Sequence, residues 1–208
     1  MRSWSWLSAG LLLVVLLSVG AVRSRATRMT SGLIAVGHGP DAIAVDDQTG
    51  HAFVTNYLDG TVTMFDTATG IVLRTVAVGQ EPTSVVVDAR ARRAFVVNQS
   101  GDSVSMLDTR TGVVLHTLSF PGLTALAVDE QTGHVFVAGS STRAAPGAVA
   151  MLDAHGGALL HRAPLGGPRG WEVQGITIDT RGQEGWIANC GDGTVNVFST
   201  TSGQLVRT

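Results

Sequence analysis

The chain repeats itself. Asp46, Asp88 and Asp129 recur at intervals of 42 and 41 residues. Seven residues after each comes an aromatic, Phe53, Phe95 or Phe136, and Asp179 with Trp186 gives a fourth such pair. Around these anchors four segments align. The first holds the short runs Gly39–Asp46, His51–Asn56, Thr61–Asp66 and Ile71–Val78, and the other three have the same four runs. The runs are rich in Val, Ile, Ala and Thr, and turn residues separate them. Four short strands per unit of about 42 residues predict an all-β fold in which each unit is one four-stranded antiparallel blade of a β-propeller. A β-sandwich also uses many short strands, but nothing in it demands a constant repeat. The blades are expected at about residues 37–78, 79–121, 122–165 and 166–208, within a repeat domain of 31–208.

The turns carry a mechanism. Asp-x-x-Thr-Gly occurs at 46–50, 66–70, 108–112 and 129–133. Its Asp can accept from the N–H groups of the turn, and its Gly can take the left-handed conformation that closes a bulged hairpin. These aspartates lack the dense alternating oxygen ligands of a calcium loop, so capping is the preferred reading.

The second strand and its neighbours resemble the YVTN-family β-propeller repeat of the YncE-like kind. Phe53-Val-Thr-Asn56 differs from the signature only in its first residue. Phe95-Val-Val-Asn98 and Trp186-Ile-Ala-Asn189 are looser copies, and Gly60-Thr-Val-Thr-Met-Phe-Asp66 supplies the run that follows. The resemblance covers about residues 33–208. It implies a ring of more blades, typically seven, and no catalytic residue. Blade three has Gly139 where the Asn belongs, and blade four has Ser199 where the Asp belongs; weaker turn capping is expected at both. Four blades are either a partial array or a small closed ring. Leu33–Val36 matches the outer-strand run Thr75–Val78, and in a closed ring it would pair into the last blade. An open array exposes blade faces, and self-association is one way to cover them.

Before the repeats, Ser3–Val22 has no charged residue and includes the apolar run Leu11–Leu17. As a helix it would span about 30 Å, the thickness of a hydrocarbon core. Residues 1–30 therefore read as a signal peptide or a membrane anchor with a short linker. Arg2 would supply the n-region and Val19–Ala21 the small residues for cleavage. Either way an extracytoplasmic location is expected, membrane-anchored or secreted.

The charge balance narrows the partners. Four of the 14 basic residues lie before residue 31, leaving 10 against 16 acidic ones in the repeats. No basic stripe suits a nucleic acid. The chain has no lysine, which removes Schiff-base chemistry and the P-loop lysine. Its single cysteine, Cys190, excludes an intramolecular disulfide.

One face of the array varies in length and the other does not. The spacing from Asp to aromatic is seven residues in every repeat. The turn between strands two and three is lengthened in blade three, at 140–146, and so is the link into blade four, at 166–174. Such insertions gather on the binding face of repeat proteins. The candidate ligand- or partner-binding residues on that rim are Arg143, Arg169, Trp171 and Glu172, with His38, Asp41 and Glu81 in the links entering blades one and two. His51 and His134 share one post-turn position on the opposite face and read as structural, whereas His38 is the histidine best placed for chemistry. No His-Glu-x-x-His, Gly-x-Ser-x-Gly or Cys-x-x-Cys is present. No catalytic residue, metal or cofactor is assigned. The expectation is a non-catalytic binding or scaffold module for a protein or small molecule. The alternative is a propeller enzyme of lactonase-like or quinoprotein-dehydrogenase-like type with its site at the channel mouth.

Overall fold

The computed structural model describes residues 32–140, 147–165, 172–191 and 193–207. The N-terminal segment and its expected helix lie outside these residues, as do Arg143, Arg169 and Trp171. The chain is all β. Blade one holds β1 (Pro40–Asp46), β2 (His51–Asn56), β3 (Thr61–Asp66) and β4 (Val72–Ala77). Blade two holds β5 (Pro82–Asp88), β6 (Arg93–Asn98), β7 (Ser103–Asp108) and β8 (Val114–Ser119). Blade three holds β9 (Leu123–Asp129), β10 (His134–Gly139), β11 (Ala148–Asp153) and β12 (Leu159–Pro164). Blade four holds β13 (Val173–Asp179), β14 (Glu184–Asn189), β15 (Thr194–Ser199) and β16 (Leu205–Arg207). Each blade is an antiparallel sheet with its strands in chain order, as expected.

Strand alternation gives every blade two apolar faces. In β2, Phe53 points toward blade two, while Ala52 and Val54 point the other way. Phe53, Val62 and Met64 on the leading face of blade one pack against Val85, Val87, Ala94, Val96 and Leu107 on the trailing face of blade two. Blade two repeats the pattern: Phe95, Val97, Val104 and Met106 meet Leu126, Val135, Val137 and Leu152 of blade three. Phe136, Val149 and Met151 then meet Ile187 and Phe198 of blade four. Phe136 and Phe198 are in ring contact, with centroids 4.8 Å apart. Burying one such aromatic contributes about 1.5–3 kcal/mol, so the junctions are the core. The first strands lie side by side, β1 against β5, β5 against β9 and β9 against β13.

Hydrogen bonds stitch the same junctions. His51 Nδ1 lies 2.8 Å from the Thr109 carbonyl of blade two, and His134 Nδ1 lies 2.9 Å from the Thr200 carbonyl of blade four. In both, the bond requires the Nδ1–H form. Between them, Arg93 holds the matching position and its Nε donates to the His155 carbonyl at 3.3 Å. The structural reading of His51 and His134 thus has a specific content: each ties its blade to the next.

The Asp-x-x-Thr-Gly turns form as the spacing predicts. Asp46 Oδ1 accepts from the N–H groups of Gln48 and Thr49, and Asp66, Asp108 and Asp129 do the same in their turns. Each closing glycine, such as Gly50 at φ 71°, donates its N–H to the Asp carbonyl. These carboxylates are capped by N–H donors, an environment opposite to that of a calcium ligand set. Ser199 keeps the turn in blade four, accepting from Thr201 and Ser202 at 3.3 Å.

Blade three departs further than expected. In blade one, Asn56 is fully buried and its Nδ2 donates to Thr61 and Thr63 at 2.9 Å, while its Oδ1 accepts from the Gly37 N–H at 3.0 Å. Asn98 makes the same pair of bonds to Ser103 and Ser105. In blade three the whole network is exchanged, not merely weakened. Ala148 and Ala150 stand where the hydroxyls were, Gly139 replaces the Asn, and the Phe120 ring fills the space above Gly139. The link residue changes with it: Gly37 and Gly79 lie against the Asn side chains, whereas blade three has Pro121. Asn56, Asn98 and Asn189 are all buried.

Leu33–Val36 does not form a strand. Val36 instead packs on Ala52, Val54 and Phe65, the trailing face of blade one, as Val78 and Phe120 pack at the next two junctions. The outermost faces, blade one trailing and blade four leading, carry exposed apolar residues, so the described blades form an open array and not a closed four-blade ring.

Candidate functional site

The links entering each blade share one face with the turns between its second and third strands. A repeated backbone bond fixes this arrangement. The N–H of Tyr57, Gln99, Ser140 and Cys190, each just past strand two, donates to the carbonyl of Gly39, Glu81, Gly122 and Glu172, each just before the blade's first strand. Glu81 and Glu172 therefore hold equivalent places two blades apart. His38 and Asp41 flank the same point in blade one. The structure thus places His38, Asp41, Glu81 and Glu172 on one face, as the spacing predicts.

Three of them enter a cluster at blades one and two, joined by residues that the sequence reading did not select. The His38 N–H donates to Asp59 Oδ2 at 2.7 Å, and its Nδ1 lies 3.0 Å from Asp59 Oδ1. The backbone N–H and then the ring of His38 hold the Asp59 carboxyl below its usual range. Within blade two, Glu81 accepts from the Ser100 hydroxyl; across the blade junction, it accepts from the Tyr57 hydroxyl of blade one. The Glu81 hydrogen bond is the main cause that raises the Tyr57 phenol above its usual value; burial and the charges of Glu81 and Asp41 add to it. Glu81 is in the left-handed region at φ 52°, where blades one and three have Gly39 and Gly122. Its left-handed backbone carries a carboxylate that bonds both blades. Nothing in single-sequence patterning marks the Tyr57–Glu81 pair, because it joins a hairpin tip to a link in the next repeat.

Two clefts flank Tyr57. One of about 470 Å³ is lined by Tyr57, Asp59, Gln80 and Glu81, and one of about 400 Å³ by Gly39, Pro40, Asp41 and Leu58. Leu58 is exposed between them. The arrangement offers acidic oxygens, a phenol and an exposed apolar side chain. Glu172 lies apart from it in the chain, with the Cys190 thiol donating to its Oε2 at 3.5 Å and Gln174 Nε2 donating to the sulfur at 3.6 Å. Among the described residues no group of three His, Cys, Asp or Glu side chains is arranged to hold a metal ion. Among them, too, no helix is long and apolar enough to cross a membrane.

No protein-family model matches the chain, and neither does any curated protein. Solved structures do. Kuenenia stuttgartiensis hydrazine synthase superposes with a TM-score of 0.71 at 19% identity, covering 86% of this chain and 51% of that one. BamB from Moraxella catarrhalis gives 0.60 at 18% identity over 80% and 48%, and U3-55K gives 0.66 at 14% over 82% and 52%. The chain spans about half the length of the solved structures it matches. At these identities the likeness is one of fold: four consecutive blades of a β-propeller.

Proposed function

We propose that the chain is an extracytoplasmic, non-catalytic binding module of the YVTN repeat type, exported or membrane-anchored by its N-terminal apolar segment. Its ligand face is the one that carries the links and the turns between strands two and three. The observation that supports this most is the Tyr57–Glu81–Ser100 bridge between two clefts, with His38–Asp59 and Asp41 beside it. The acidic groups outnumber the basic ones there, which favours a cationic ligand such as an Arg-rich protein segment. The insertions holding Arg143, Arg169 and Trp171, together with Glu172, extend the same rim in this reading. The test is fluorescence-anisotropy titration of Arg-rich and Glu-rich peptides of equal length. The Arg-rich peptide should bind, and Glu81→Gln with Asp41→Asn should weaken it at least tenfold. Equal affinity for both peptides, or no change in the variant, would refute the reading.

A further inference from the structure

The three internal junctions define what a blade face packs against. Ile43 and Val45 of blade one correspond to Val85 and Val87 of blade two. Val85 and Val87 are 6% and 9% exposed because blade one covers them, whereas Ile43 and Val45 are 61% and 55% exposed. Beside the latter two runs a trough of about 320 Å³, lined by Ile34, Val36, Val54 and Phe65. The other end of the array shows the complementary face. Trp186 and Val195 are 37% and 47% exposed. Their counterparts Phe53, Phe95 and Phe136, and Val62, Val104 and Val149, are all buried in junctions. Uncovered apolar faces of this kind mark interaction surfaces.

We propose that these two faces are each other's partners in a second copy of the chain, joined head to tail so that two copies close an eight-blade ring. The internal junctions select this occupant. The trailing face of blade one has the residue types that blade two uses against blade one: Ala52 and Val54 match Ala94 and Val96, and Phe65 stands for Leu107. Its complement is a leading face of this same repeat, and blade four presents one uncovered. Trp186 is then the aromatic that enters the trough. Glu184 stands where His51, Arg93 and His134 reach the next blade, and its 3.2 Å ion pair holds Arg207, an N–H donor, at that end of the face. A head-to-tail contact closes when its rotation fits a ring, and a twofold axis along the ring buries both ends at once.

Sedimentation velocity of the full chain in mild detergent, over a concentration series, tests this. The wild type should run as a dimer. Trp186→Arg and Ile43→Asp alter exposed side chains on opposite faces, so each should keep the wild-type circular dichroism spectrum. Each should weaken the dimer at least 30-fold, the size of a hot-spot loss. Mixing the two variants should restore dimers, because the pair retains one intact junction. A monomeric wild type would overturn the proposal, as would larger polymers. Dimers that persist in both variants would place association in the N-terminal segment and overturn it equally.

Discussion

Replacing Gly139 by Asn gives blade three the residue that Asn56, Asn98 and Asn189 supply in the other blades, and should nevertheless destabilise the protein. A Cβ at Gly139 falls 2.9 Å from Phe120 Cε1 and 3.1 Å from the Gly122 carbonyl oxygen. The backbone oxygen cannot retreat. The ring is buried, with the Arg162 guanidinium 4.9 Å from its centroid. Overpacking of this kind costs about 1–3 kcal/mol. The new amide also faces Ala148 and Ala150, where Asn56 faces two threonines, and a buried amide without partners costs about 1–3 kcal/mol more. The expected loss is roughly 2–6 kcal/mol, a large part of the stability of a domain. Urea unfolding followed by circular dichroism reads it as a fall in midpoint at unchanged slope. Adding Phe120→Val, Ala148→Thr and Ala150→Thr supplies the two Nδ2 acceptors and the ring space of blade one, and should recover part of the loss, a non-additive result. A consensus argument makes the opposite forecast for the single change. If Gly139→Asn were neutral or stabilising, the reasoning from the exchanged network would be wrong.

Gly79→Ala should be destabilising by about 1–3 kcal/mol in the same assay, because its Cβ would sit 2.5 Å from Asn98 Cγ, a buried side chain fixed by two bonds. Pro121→Ala, at the matching link of blade three where no Asn competes, should change the midpoint far less. Tyr57 is the chain's single tyrosine, so absorbance at the phenolate band titrates it directly; its pKa should lie above the ordinary 10.0 and fall back toward it in Glu81→Gln. The carboxyls of Asp66 and Asp59 are held below their ordinary 3.8, the first mainly by the Thr69 hydroxyl and the second mainly by the His38 N–H. Their contribution is therefore complete above about pH 4 and disappears as pH falls through the lowered folded values. Urea midpoints should hold down to about pH 4 and drop below it, and less steeply in Asp66→Asn.

The blades were legible in the sequence because strand alternation and the Asp-x-x-Thr-Gly turns are local, each element lying within a few residues of its partner. The variable face was legible for the same reason, since loop lengths count directly, and it brought His38, Asp41, Glu81 and Glu172 to one side. What joins blade to blade was not legible. His51 bonds a backbone carbonyl 58 residues away, and a carbonyl has no sequence signature. The Tyr57–Glu81 pair depends on the left-handed backbone at Glu81, a conformation that nothing in its residue type announces. The exchange in blade three was half visible: Gly139 stood out as a missing Asn, but its meaning lay in Pro121, Ala148 and Ala150 changing together. Arg143, Arg169 and Trp171 lie outside the described residues.

Each described blade buries its apolar side chains against its immediate neighbours alone, so the array behaves as a one-dimensional chain of coupled units. Blade two and blade three each have both faces sealed, while blade one and blade four each leave one face uncovered. Cooperativity then decays from the middle outward. The Phe95–Val137 junction is the last to open, fluctuations begin at the two ends, and amide protection should be graded along the polymer instead of uniform. A partner that seals the ends would convert this fraying rod into a single all-or-none unit, making the assembly's kinetic lifetime a property of closure and not of any one blade.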